Sequence, residues 1–88
     1  MAIWRVAKEW KFDAPPDDPS VGGIDTSGGY GYLLEHVETG EASEFRILIA
    51  RGPANVTPVR VHEVLRKYLD EPNPPERVTL DRSGGEIH

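Results

Sequence analysis

The sequence predicts a small α+β fold: an antiparallel sheet of three to four strands with one helix packed on one face, in the order β-β-β-α-β. Three observations predict it. Strand formers dominate Met1 to Phe12 and the paired arms Tyr30 to Val37 and Glu44 to Arg51. Val61, Val64, Leu65, Tyr68 and Leu69 recur at i, i+3, i+4, i+7 and i+8, the stripe of an amphipathic helix. The chain has 88 residues, enough for one domain with one modest core.

In the first strand, Met1 to Phe12, the residues Trp4, Val6, Trp10 and Phe12 share one parity. Arg5, Glu9 and Lys11 share the other with Ile3 and Ala7. Lys8 interrupts the apolar set. It marks either a bulge or an edge where its stem lies over the tryptophans and its amine reaches water. Both tryptophans of the protein fall in this strand, which makes Trp4 and Trp10 candidate interface anchors, since Trp is enriched among binding hot spots.

Asp13 to Gly29 reads as a long connection. It holds Pro15, Pro16 and Pro19, a set of aspartates, and paired glycines at Gly22-Gly23 and Gly28-Gly29, with neither strand nor helix periodicity. Loops of this length without internal structure are usually functional or disordered. The central hairpin then runs from Tyr30 to Arg51 and turns through Glu38 to Ser43. Its returning arm places Phe45, Ile47 and Ile49 on one face and Leu48 and Ala50 on the other. A strand apolar on both faces is central to its sheet and covered on both sides. Tyr30, Tyr32 and Leu34 likewise oppose Leu33 and Val37.

Thr57 followed by Pro58 signals a helix start: an N-cap hydroxyl, then a proline whose fixed φ suits the first turn. Glu63 and Lys67 stand at i, i+4 on the polar side, and the run Glu71-Pro72-Asn73-Pro74-Pro75 stops the helix. Arg77 to Asp81 reads as a short strand with Val78 and Leu80 on one face, and Ser83 to His88 as a frayed, flexible tail.

One helix covers one face of a sheet. The second face, apolar at Leu33, Leu48 and Ala50, calls for a cover: the 13–29 loop, a second subunit or another protein. This mismatch is the strongest functional signal in the chain.

Composition excludes several chemistries. There is no cysteine, hence no disulfide, thiol nucleophile or thiolate metal site. No apolar run approaches the roughly 20 residues of a membrane helix, and the N-terminus lacks the continuous apolar stretch of a signal peptide, so the expected location is cytoplasmic. The formal net charge is −5, and its distribution matters more than its size. Between Phe12 and Phe45 there are eight acids and no lysine or arginine, whereas Arg46, Arg51, Arg60, Arg66 and Lys67 face only Glu63 in the next stretch. Such asymmetry orients a partner or a second copy of the chain.

The motifs that resemble known sites fail on their residues. His62-Glu63-Val64-Leu65-Arg66 begins like the helical zinc-protease signature, but Arg66 occupies the second ligand position, and His36 and His88 share no ligand spacing with His62. No metal or cofactor is expected. Gly23 to Gly29 has the glycine spacing of a phosphate-binding loop, with Gly29 at the lysine position and acids on both sides. Ser20, Ser27, Ser43 and Ser83 lie in loops or the tail with no base beside them, so nucleophilic catalysis has no framework. The element order is similar to that of the small domain of the HicB-type antitoxins, a likeness of order alone with no residue motif behind it.

These observations point to a non-enzymatic protein-binding or regulatory domain that associates with itself or another protein, with no small-molecule ligand. Trp4, Trp10, Tyr30 and Tyr32 are the candidate anchors, and Glu35, Glu38 and Arg46 the rim charges. The alternative is sheet-mediated nucleic-acid binding. It draws on Arg5, Lys8, Arg46 and Arg51 but meets Glu35 and Glu38 and a negative net charge.

Overall fold

The computed structural model describes residues 2–13, 26–50, 57–81 and 83–87. Strands β1 (Trp4–Asp13), β2 (Thr26–His36) and β3 (Ala42–Ala50) precede helix α1 (Pro58–Leu69), and β4 (Arg77–Leu80) and β5 (Glu86–Ile87) follow it. The five strands form one sheet in the order β1-β2-β3-β4-β5. β1–β2, β2–β3 and β4–β5 pair antiparallel, while β3 and β4 run parallel, with α1 in the connection between them. A parallel neighbour needs such a crossover, because a tight turn reverses chain direction.

The α+β class and, among the described residues, the single helix agree with the sequence reading, and the sheet differs from it in three ways. It is mixed rather than antiparallel. It has a fifth strand, contributed by residues read as a frayed tail. And β2 begins at Thr26, four residues before Tyr30, with an irregularity between Thr26 and Gly28 where Gly28 takes a φ of 125°. The 13–29 loop otherwise falls on residues 14–25, and the hairpin end on Arg51; both lie outside the described residues.

Asp81 explains the fifth strand. Its Oδ1 accepts from the Ser83 amide (2.8 Å), the Ser83 hydroxyl (2.6 Å) and the Gly85 amide (2.9 Å). The Asp81 amide donates to Gly85 O, so the chain reverses at once after β4. Gly84 sits at φ 90° in this turn, in the left-handed region that glycine tolerates. Arg60 Nε of the helix donates to Gly84 O at 2.7 Å, and Lys67 pairs with Glu86 at 3.0 Å. The tail is tied to the helix from both sides of its turn.

The helix starts and stops as its residues dictate. Thr57 Oγ1 accepts from the Arg60 amide at 3.2 Å, and Pro58 stands in the first turn. Val61, Val64, Leu65 and Tyr68 are buried. They pack on Trp4, Tyr32, Leu34, Phe45, Ile47, Val78 and Leu80 to form the core, with Ile3, Tyr30, Ile49 and Leu69 at its margin. At about 25 cal/mol per Å² of apolar surface removed from water, each of these side chains contributes roughly 1.5–3 kcal/mol. The β2–β3 turn closes through the His36 amide on Glu41 O and the Gly40 amide on His36 O. His36 Nδ1 accepts from the Glu38 and Thr39 amides. No helix among the described residues is long and apolar enough to cross a membrane.

Candidate protein-binding face

The helix lies on one face of the sheet, and the register shows what occupies the other. Opposite Leu34 stands Val6, but opposite Leu33 stands Lys8, so Ala7 is the extra residue of a β-bulge. A one-residue shift turns every following side chain to the other face. Trp4 therefore points under the helix, whereas Lys8, Trp10 and Phe12 point to the helix-free face with Leu33, Gly31 and Gly29. The parity that groups Trp4 with Trp10 in the sequence is broken at Ala7, and the bulge that Lys8 signals is there.

Gly31 makes room for the indole. A Cβ at position 31 would lie 2.2 Å from Cε2 of Trp10, so the ring lies flat against bare backbone. Gly29 serves β3 instead: a Cβ there would meet Ile47 O at 2.2 Å. The helix-free face consequently carries half-buried Trp10, Phe12 and Leu33 on β1 and β2, and Leu48, only 4% exposed, on β3. Thr79 on β4 stands opposite Leu48 and Ile87 on β5 opposite Thr79, extending the face.

The rim of this face is charged. Arg5 pairs with Glu35 directly across β1–β2, and Arg46 lies 3.8 Å from Glu44. Lys8 and Arg77 complete the set, Arg77 opposite Arg46 in the β3–β4 register. Among the described residues the face thus gathers four cations against two carboxylates, on a chain whose net charge is −5.

Of the seven residues singled out in the sequence, the fold brings Trp10, Glu35 and Arg46 together here. Trp4 and Tyr32 are corrected to the core. Trp4 is 6% exposed, donates from Nε1 to Glu71 O at 2.8 Å and meets His36 edge-on at 5.1 Å; a ring held in this way offers no surface to a partner. Tyr32 is fully buried beside Phe45. Burial pushes its phenol above the ordinary range, and the Glu9 carboxylate opposite raises it further, although no hydrogen bond of ordinary geometry joins the two. Tyr30 is half-buried at the core margin on the helix side, with Lys11 Nζ 5.9 Å from its ring centre. Glu38 stands in the β2–β3 turn. There it borders a shallow, mostly apolar cavity of about 420 Å³ with Ala2, Ile3, His36, Val37 and Pro72.

Sequence reasoning missed Phe12 and Arg77 as members of the face. For Phe12 the signal was Lys8 itself, since a charge inside an apolar alternation marks the position where parity changes. Arg77 joins only because β4 lies parallel beside β3. His62 is exposed on the helix, with Nε2 3.9 Å from Glu9 Oε2. No cluster of three or more His, Asp or Glu side chains able to hold a metal occurs among the described residues. No protein-family model, no curated protein and no solved structure matches this chain.

Proposed function

We propose that this chain is a non-enzymatic binding module that recognises protein, a second copy of itself included, through the helix-free sheet face and its aromatic β1 edge. The observation that carries the reading is the position of Trp10: half-buried, flat over Gly31, on the face that the helix leaves alone. Large aromatic rings that keep part of their surface in water contribute disproportionately to interfaces. Phe12 and Leu33 extend the apolar centre, and Arg5, Lys8, Glu35, Glu44, Arg46 and Arg77 form a rim that sets orientation and association rate more than affinity.

The test is light scattering across a concentration series at low and high salt. Trp10→Ala should weaken association by about 2 kcal/mol while circular dichroism stays unchanged. A Trp10→Ala protein that associates like the parent removes Trp10 as the anchor of self-association.

A second reading is favoured by one observation. Arg5, Lys8, Arg46 and Arg77 share a face with two aromatic rings, an arrangement on which single-stranded nucleic acid stacks and tracks. In that case Arg46→Glu abolishes binding to a mixed-sequence oligonucleotide, and the affinity of the parent falls steeply with salt. The paired carboxylates Glu35 and Glu44 on the same face weigh against it.

A further inference from the structure

The sheet has two outer strands, and they differ. β5 spans two residues, whereas β1 spans ten and, among the described residues, has a neighbour, β2, on one side only. The outward N–H and C=O groups of a long outer strand are a template for another strand. The bulge at Ala7 spoils the first half of β1 for that purpose. The second half is regular, in unbroken register with β2 from Lys8 to Asp13.

Within this run the side chains follow a simple code. Glu9 and Lys11 point to the helix side, opposite Tyr32 and Tyr30; Lys8, Trp10 and Phe12 point to the helix-free side. Two copies related by a two-fold axis normal to the sheet would pair β1 with itself, antiparallel, with opposed residues on the same face. Charge then selects among the few possible centres. A centre at Glu9 opposes two carboxylates, and a centre at Lys11 opposes two ammonium groups. A centre at Lys8 runs into the bulge, and a centre at Phe12 leaves only three residues, Lys11 to Asp13, to pair within β1. A centre at Trp10 sets Glu9 against Lys11 twice, Trp10 against Trp10, and Lys8 against Phe12. Like charges directly opposite destabilise a strand pair, and opposite charges and aromatic pairs stabilise it.

We infer that two copies of this chain pair edge to edge through β1 in the single register centred on Trp10, with Glu9 of each copy facing Lys11 of the other. The inference rests on the reading that the chain self-associates, and it names the surface and the register. Its consequence is that self-association does not consume the helix-free face. The two faces join side by side, with both Trp10 rings and both Phe12 rings at the seam, into one platform for a further protein. Glu9 and Lys11 are both exposed, with His62 beside Glu9 and the Tyr30 ring beside Lys11 as their neighbours within the chain.

Charge reversal in the full chain, read by sedimentation velocity, tests this. Lys11→Glu alone and Glu9→Lys alone each place like charges in both pairs, and each should raise the dimer dissociation constant at least tenfold. An equimolar mixture of the two variants restores complementarity and should form a heterodimer of parental strength, as should the double variant with itself. Cysteine pairing gives a readout independent of these charges, because the chain has no cysteine of its own. Under mild oxidation, Lys8→Cys mixed with Phe12→Cys should cross-link between the two variants, and neither should cross-link alone. Single charge variants that dimerise like the parent, or cross-linking of Lys8→Cys with itself, overturn the register and leave self-association standing through another surface. A parent that stays monomeric at every concentration overturns the inference together with the self-association on which it rests.

Discussion

Tyr32 carries a hydroxyl into a site from which water is excluded, and among the described residues no partner takes up its hydrogen bond. Such a group costs folding free energy, and its burial makes it harder to ionise. The phenol therefore stays neutral in the folded protein at pH values where the unfolded chain, with a phenol near the ordinary 10.0, ionises. Tyr68 shifts in the same direction, through burial and then through Glu86. A raised folded value means that the contribution is fully present below pH 10 and is lost as pH rises beyond it. Stability should accordingly decline from about pH 10 upward. Tyr32→Phe should flatten that decline, and at pH 7 its cost should lie within about 1 kcal/mol of zero, in either direction. Urea titrations at pH 7 and at about pH 11 measure both effects; an unchanged alkaline slope in the variant would remove Tyr32 as the cause.

The β4–β5 hairpin shows how a single side chain makes an element. β5 is two residues long and its sequence, Glu86-Ile87, carries no strand periodicity. It exists because Asp81 gathers Ser83 and Gly85 around one carboxylate oxygen, the Ser83 hydroxyl first and the two amides after it, which holds that carboxyl below its usual range. A lowered folded value means that the contribution is present above the unfolded value, 3.8, and is lost as pH falls through the folded one. Asp81→Ala should release residues 83–87 at neutral pH while the rest of the sheet persists. Hydrogen exchange reads this directly: the Gly85 amide should exchange faster in the variant, and in the parent as pH is lowered past the usual carboxylate range. Equal protection of that amide in both proteins would mean that Arg60 and Lys67, reaching over from the helix, hold the tail by themselves. At this scale the sequence was legible wherever the signal was local. Thr57 and Pro58 opened the helix and the proline run after Glu71 closed it. Ser83 to His88 reads as a frayed tail when its glycines alone are weighed, and the Asx turn that Asp81 builds before it overrides them.

Across the whole molecule a single core joins the helix to four of the five strands, and Leu34 is among its fully buried members. In a chain this small, total stability is on the order of 5–15 kcal/mol. Leu34→Ala should remove about 2–5 kcal/mol, a large share of that total, and shift the urea midpoint with it. Unfolding followed by tryptophan fluorescence, to which Trp4 in the core contributes, and by circular dichroism should coincide in parent and variant. Separate transitions would mean that β1 comes away from the sheet before the core yields. The same one-sided architecture leaves Trp10, Phe12 and Leu33 partly in water and collects cations on a face of an acidic chain. It also puts a ten-residue strand at the sheet's border.

The sequence by itself determined the helix, its caps and its apolar stripe, the central β2–β3 hairpin, and the requirement for more cover than one helix supplies. Those properties reside in spacing and in residue chemistry within a dozen positions, where periods of 2 and 3.6 residues are unambiguous. Only the tertiary structure decided that Trp4 belongs to the core and Trp10 to the opposite face, that β4 lies parallel beside β3, and that the tail closes the sheet. Each of these depends on which strand stands opposite which residue. An extra residue at Ala7 inverts the meaning of every later parity in β1, and the partner strand that forces it out of register lies some twenty-five positions further along the chain.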